Sequence, residues 1–164
     1  MLIMQPLPDN VPRDLADHPN FVVWRVVHRD GKPTKVPLNP RTGEPAQSNN
    51  PATWGSFQEA VAAWRQNGAA GIGFVFSAAD PFTGIDLDHA LENGHPRLCA
   101  KILLEHLNSY SEASPGGAGV HILVRGKLPP GRRRLTLPCG LGFEAYDRDR
   151  FFTLTGHHLP GTPT

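Results

Sequence analysis

The sequence contains only two cysteines, Cys99 and Cys139, and they lie far apart. They form no metal-ligand pair and no redox motif, which argues against a disulfide framework or a zinc site and suits a reducing compartment. Both are expected as packing residues. Long apolar runs are missing too: nowhere do about 18 apolar residues follow one another, the length a membrane-spanning helix needs. The opening MLIMQPLPDNVPRDL lacks the apolar core and cleavage site of a secretory leader. A cytoplasmic protein with no membrane partner is the expectation. Excess charge is also absent. A formal net charge of +1 provides no global positive field, so any binding to nucleic acid must come from local patches and specific contacts.

Turn formers, by contrast, are abundant. With 17 glycines and 17 prolines the fold should be rich in loops, while 39% hydrophobic and 19% charged residues are ordinary for a soluble domain. A chain of 164 residues can bury a core without external braces. One domain over 1–164 is expected, with residues 1–19 as an N-terminal extension and 157–164 as the start of a linker to further modules. There is no internal repeat.

The segment FVVWRVVHR at 21–29 is dense in β-branched and aromatic residues and reads as a strand. GKPTKVPLNPRTGEP begins with a turn and returns extended, as a hairpin does. Ser56 followed by Glu59 is a capping-box pattern, and Gly68 suits a helix terminus, so the spacing predicts a helix over 56–67. GIGFVF at 71–76 and TGIDLD read as two strands paired antiparallel across a short connection. Leu98, Ile102, Leu103 and Leu107 recur at helical spacing, which predicts an amphipathic helix over 96–109 packed on the sheet. After the Gly-rich SEASPGGAG come a strand VHILVRG, a polar connection KLPPGRRRLTLPCG, and a final pair of strands, FEAYD with RFFTLTG. Trp24, Trp54 and Trp64 are expected in the core rather than as base-stacking platforms. The order of elements suits an α+β fold with a mainly antiparallel sheet and two flanking helices.

Chemistry enters with GIDLDHA. Alternate residues of a strand share a face, so Asp86 and Asp88 point one way and Ile85 and Leu87 the other. Two adjacent anions repel, and a divalent cation removes that cost, because hard cations such as Mg²⁺ or Mn²⁺ take carboxylate oxygens and keep positions open for phosphate. In GFEAYDRDRFF a third acid, Glu144, shares its face with Tyr146. Three acids on neighbouring strands suit two metals. His121 follows a Gly-rich loop whose backbone N–H groups can cradle phosphate oxygens, and Val120, Ile122 and Val124 take the opposite face of its strand. The loop is not a Walker loop, since no G-K-[ST] follows.

Together GIDLDHA, SPGGAGVH and FEAYDRDRFFTLTG resemble the three motifs of the primase-polymerase domain of the archaeo-eukaryotic primase superfamily, in the form found in phage and plasmid replication proteins. KVPLNPRTGEPA and NPATWGSFQEAV resemble its upstream segment, and the likeness runs over about residues 20–158. It implies an N-terminal α/β unit joined to an RRM-like antiparallel sheet. It also implies a DNA primase or DNA polymerase that adds nucleotides to a 3′-hydroxyl with Mg²⁺ or Mn²⁺, on a DNA template-primer with dNTP or NTP, and in some relatives a helicase module. Asp86, Asp88 and Glu144 would hold the metals, and His121 would meet the phosphates of the incoming nucleotide, with Ser114, Gly117, Gly119 and Arg150 in the nucleotide site. Where many relatives read S-P-S-G the chain has Gly116, so Ser114 is the candidate side chain of the loop. Lys35 and Arg41, together with Arg132, Arg133 and Arg134 of the basic GRRRL stretch, are candidate DNA contacts. The rival readings are a catalytically inactive single-strand-binding module, disfavoured by two acids on its binding face, and a metal-dependent nuclease or phosphodiesterase.

Overall fold

The computed structural model describes residues 3–164. After a four-residue helix α1 (Arg13–Ala16), the chain forms β1 (Phe21–Arg29), β2 (Lys32–Leu38), α2 (Phe57–Asn67), β3 (Gly71–Phe76) and β4 (Phe82–Asp88). Short strands β5 (Leu91–Glu92) and β6 (His95–Pro96) lead into α3 (Leu98–Leu107). Then follow β7 (Ser111–Ala113), β8 (Val120–Arg125), β9 (Arg134–Thr136), β10 (Gly142–Tyr146) and β11 (Arg150–Leu154). The architecture is α+β and its strands pair antiparallel: a four-stranded sheet of order β11-β3-β1-β2 and a five-stranded sheet of order β7-β8-β4-β10-β9.

Local signals hold well. The 21–29 strand turns at Asp30–Gly31, both at positive φ, into its antiparallel partner. Helix α2 has the capping box: Ser56 Oγ accepts from the Glu59 N–H, and the Glu59 carboxylate accepts from the Ser56 N–H. Gly68 ends it in the left-handed conformation, as expected of a C-terminal glycine. Trp24 and Trp54 are buried, and Trp64 packs partly buried against the first core.

Long-range pairing is where the structure departs from the sequence pattern. GIGFVF and TGIDLD are not a hairpin: β3 lies between β1 and β11 in one sheet, and β4 between β8 and β10 in the other. FEAYD and RFFTLTG, the expected final pair, are likewise split between the sheets. Every residue of β3 is buried, so its two faces carry no alternation from which a partner could be read. The crossing is fixed at Asp80, whose buried carboxylate accepts from the Ser77 N–H (2.6 Å), the Phe82 N–H (2.9 Å) and Asn20 Nδ2 (3.1 Å).

The register of α3 also differs. Leu98 and Ile102 are 74% and 47% exposed, and Ala100 and Leu104 make the buried stripe instead. The helix starts two residues later than expected because His95 and Pro96 are taken by the β5–β6 ribbon. Within that region the two cysteines meet. Cys99 and Cys139, expected as separate packing residues, have Cα atoms 6.6 Å apart and face one another as a pair. Their separation of 40 residues hid the pairing.

The second sheet has two unlike faces. Ile85, Leu87, Val120, Ile122 and Ala145 bury against Ala100 and Leu104 of α3, each buried valine, leucine or isoleucine contributing roughly 1.5–3 kcal/mol. On the opposite face, Phe82 and Leu123 join Phe74, Phe76 and Phe152 of the first sheet in the main core. Further along that same face, apolar residues give way to Asp86, His121 and Glu144. The transition is at Gly84, where a Cβ would fall onto the Phe76 ring and lie 2.7 Å from Phe152 Cε2. Gly84→Ala is therefore expected to cost about 1–3 kcal/mol through overpacking of rings that have nowhere to retreat. Urea denaturation measures it, and an unchanged midpoint would show that the aromatic layer yields freely.

Candidate active site

Register decides the site. In the second sheet Glu112 of β7 pairs with His121 of β8, His121 with Asp86 of β4, Asp86 with Glu144 of β10, and Glu144 with Arg134 of β9. Directly paired residues share a face, so five ionisable side chains form one transverse row across all five strands. Asp88 lies two positions along β4 from Asp86, at the exposed end of the strand, opposite Gly142.

Over this row opens a cavity of about 410 Å³, lined by Asp86, His121, Glu144, Arg150 and, from the first sheet, Thr34 and Lys35. Both faces of β8 are buried here. His121 is 4% exposed, tilted against the Phe152 ring with centroids 5.2 Å apart, and its Nε2 is 3.8 Å from Asp86 Oδ1. Burial raises the Asp86 carboxyl above its ordinary value; the His121 ring opposes this, Asp88 and Glu144 add to it, and Lys35 opposes it again.

Cations surround the acids. The Lys35 ammonium stands 5.6 Å above the Trp24 ring. Protein crowding lowers its pKa, offset in part by Asp86 and Asp88. Arg134 reaches Glu144 Oε1 at 2.5 Å, and Arg150 lies 3.8 Å from Glu144 Oε2 with its guanidinium over the Tyr146 ring. The Tyr146 hydroxyl donates to the same Oε2 at 2.9 Å. In this arrangement no three His, Cys, Asp or Glu side chains among the described residues converge on one metal position, since Glu144 is turned onto Arg134. The donor set nevertheless suits hard cations: carboxylate oxygens only, on adjacent strands, with like charges crowded together.

The other residues singled out by the sequence fall in three places. Ser114, Gly117 and Gly119 sit in a loop closed on itself: Ser114 Oγ accepts from the Gly119 N–H (3.1 Å), and Ser114 O accepts from the Gly117 N–H (2.8 Å). That loop adjoins the Asp88 end of β4, and a Cβ at Gly119 would lie 3.0 Å from Leu87 O. Arg41 donates to Trp54 O (2.6 Å) and lies 3.9 Å from Glu59, away from the cavity. Arg132 is exposed beside β9, whereas Arg133 turns 3.8 Å from the buried Asp147. Arg150 points to Glu144 and the cavity.

Sequence reasoning missed Glu112. It is completely buried, accepting from the Thr155 N–H (2.9 Å), the Gly156 N–H (2.8 Å) and the Tyr110 hydroxyl (2.9 Å). The alternation of Tyr110 and Glu112 among small residues in SYSEAS was the available signal, but β7 is only three residues long and shows no period. Thr34 and Ser48, which also line the cavity, carry no sequence signal at all.

No family model matches the chain. It is 40% identical over 150 residues to a DNA primase-polymerase of Nitratiruptor phage NrS-1, a match that covers 90% of this chain and 20% of that protein. The chain thus spans about a fifth of the length of this relative. With a tenth of the chain outside it, the matching stretch contains the whole row from Asp86 to Glu144. What the similarity shows is likeness to a part of that phage DNA primase-polymerase.

Proposed function

We propose that the chain is the catalytic domain of a template-directed nucleotidyltransferase, a DNA primase or DNA polymerase, in the replication of a phage or other mobile element. The observation that carries the reading is the transverse row: His121, Asp86 and Glu144 side by side beneath a cavity walled by Lys35 and Arg150. Such a mixed wall suits a nucleoside triphosphate, a polyanion that arrives with divalent cations. Within this reading the two-sheet arrangement is the primase-like one, with an RRM-like second sheet.

Asp86, Asp88 and Glu144 would hold Mg²⁺ or Mn²⁺, which supplies charge neutralisation at the attacking and leaving oxygens when bound. The chain's own residues do the rest. Lys35 and Arg150 bind the triphosphate and hold its α-phosphorus over the acid row, the guanidinium gripping two oxygens at once. His121, backed by Phe152, contacts a phosphate oxygen from below. The primer 3′-oxygen then forms a bond to the α-phosphorus as the bond to the bridging oxygen breaks, pyrophosphate leaves with its electron pair, and the hydroxyl proton passes to solvent. Positioning and charge account for most of the rate in such transfers. Arg134 and Arg132 on the β9 edge, beside Glu144, would meet template or primer phosphates.

Primer extension on a single-stranded DNA template with dNTPs and Mg²⁺ or Mn²⁺ tests the proposal. Template-directed products are expected. Metal-dependent cleavage of the template without extension would favour a nuclease, and DNA binding with neither reaction would favour an inactive binding module.

A further inference from the structure

The buried acid of β7 has a second neighbour besides its three donors. Glu112 Oε1 lies 3.6 Å from His121 Nδ1, just outside hydrogen-bond length. That Nδ1 is the single buried side-chain polar atom without a hydrogen-bond partner among the described residues. A buried unpartnered nitrogen costs free energy, and buried groups left so call for a reason. The three donors to Glu112 come from β11's exit and from Tyr110, so they fix the carboxylate in position. Burial and the adjacent Glu112 carboxylate hold the Tyr110 phenol far above its ordinary pKa, so the hydroxyl remains a donor.

We propose that Glu112 is a positioning residue for His121. The carboxylate stands 3.6 Å from Nδ1 and can only accept, so Nδ1 is the donor toward it and the ring is anchored by that edge. Nε2 is then the edge presented to the cavity and to Asp86, where it must also donate if it is to serve a phosphate oxygen. Which ring nitrogen bears the proton is ordinarily set by the partner of the other, and supporting carboxylates of this kind orient histidines in many sites. The contact shortens to a hydrogen bond when a bound triphosphate orders the cavity, as long contacts in unliganded sites commonly do. The same carboxylate holds the chain at Thr155 and Gly156, the exit of the strand that begins at Arg150, so one residue sets both the histidine and the far end of the arginine's strand.

The role of this positioning in nucleotide binding rests on the function proposed above, whereas the state of the ring does not. The first measurement is therefore the ¹⁵N spectrum of the histidine side chains of the wild-type chain, with His121 assigned by its loss in His121→Ala. A protonated Nδ1 is expected; a bare Nδ1 with the proton on Nε2 alone overturns the proposal. The second is binding of a non-hydrolysable deoxynucleoside triphosphate with Mn²⁺ to Glu112→Gln, His121→Ala and the double variant. Glu112→Gln is expected to weaken binding about 10–100-fold, and to add nothing in the His121→Ala background. An equal loss in both backgrounds would reduce Glu112 to a link between the sheets and overturn the proposal. If Glu112→Gln does not fold, the wild-type spectrum decides alone. If the wild type binds no nucleotide, the proposed function fails while the spectrum still judges Glu112.

Discussion

Asp86→Asn is expected to abolish primer extension, by about 10³-fold or more, and at the same time to make the metal-free protein more stable. The first effect follows from its place at the centre of the row, between His121 and Glu144. A metal ligand contributes several kcal/mol of transition-state stabilisation, and each ~1.4 kcal/mol is a factor of ten in rate. The second follows from the sign of the Asp86 shift. Its folded-state pKa lies above the ordinary value, chiefly through burial, so the folded state holds the proton more tightly than the unfolded chain. Above the unfolded pKa the ionised carboxylate therefore subtracts stability, and this penalty disappears as pH falls below that value. A neutral amide removes the penalty at neutral pH. The melting temperature without divalent ions should therefore rise. Mn²⁺ should then stabilise the wild type and not the variant, because a ligand that binds only the folded state raises its stability. Lost extension together with a lowered metal-free melting temperature would make Asp86 a structural residue, and the acid row would no longer be the metal site.

Arg150→Ala is expected to raise the KM for the incoming nucleotide about 10–100-fold. That corresponds to roughly 1.5–3 kcal/mol, the usual worth of hydrogen bonds to a charged group. The residue lines the cavity, and its guanidinium carbon lies 4.8 Å from the Tyr146 ring centroid with one nitrogen 3.8 Å from Glu144. This preorganises the fork for phosphate oxygens. Lysine has neither the planar face for Tyr146 nor the paired donors, so Arg150→Lys should recover little of the loss. Nucleotide titrations of extension rate separate the two outcomes. A KM within twofold of wild type for Arg150→Ala would assign the arginine to an ion pair with Glu144 alone, and the triphosphate would then rest on Lys35. Arg134 provides the contrast: it is 71% exposed and touches Glu144 from the outer edge of the sheet. Its truncation should weaken DNA binding and its salt dependence rather than nucleotide affinity.

Both predictions depend on residues whose types were legible and whose partners were not. The D-x-D of β4 could be placed on one face by strand period alone, and so could Glu144 with Tyr146 on β10. His121 was legible as the polar member of an apolar strand, yet its burial was not, because the aromatic cover comes from Phe152 on the other sheet. The basic residues divide in the same way. Lys35 reads from the sequence as a candidate DNA contact, and only the packing of the first sheet over the second brings it to the cavity beside the acids.

By itself, the sequence determined the local elements and the chemistry they carry. The capping box of α2, the β1–β2 hairpin, the D-x-D strand and the Gly-rich approach to His121 all follow from interactions within a few residues of one another. Their spacing leaves one good local solution. Tertiary structure alone decided the pairing: which strands share a sheet, that β3 and β4 part at Asp80, that Cys99 meets Cys139, and that Glu112 stands beside His121. The physical reason is that strands buried on both faces, or only three residues long, carry no alternation to specify a partner or a register. Their partners are set by how apolar faces from distant segments bury together, and the row from Glu112 to Arg134 exists only once that burial has fixed the register of five strands.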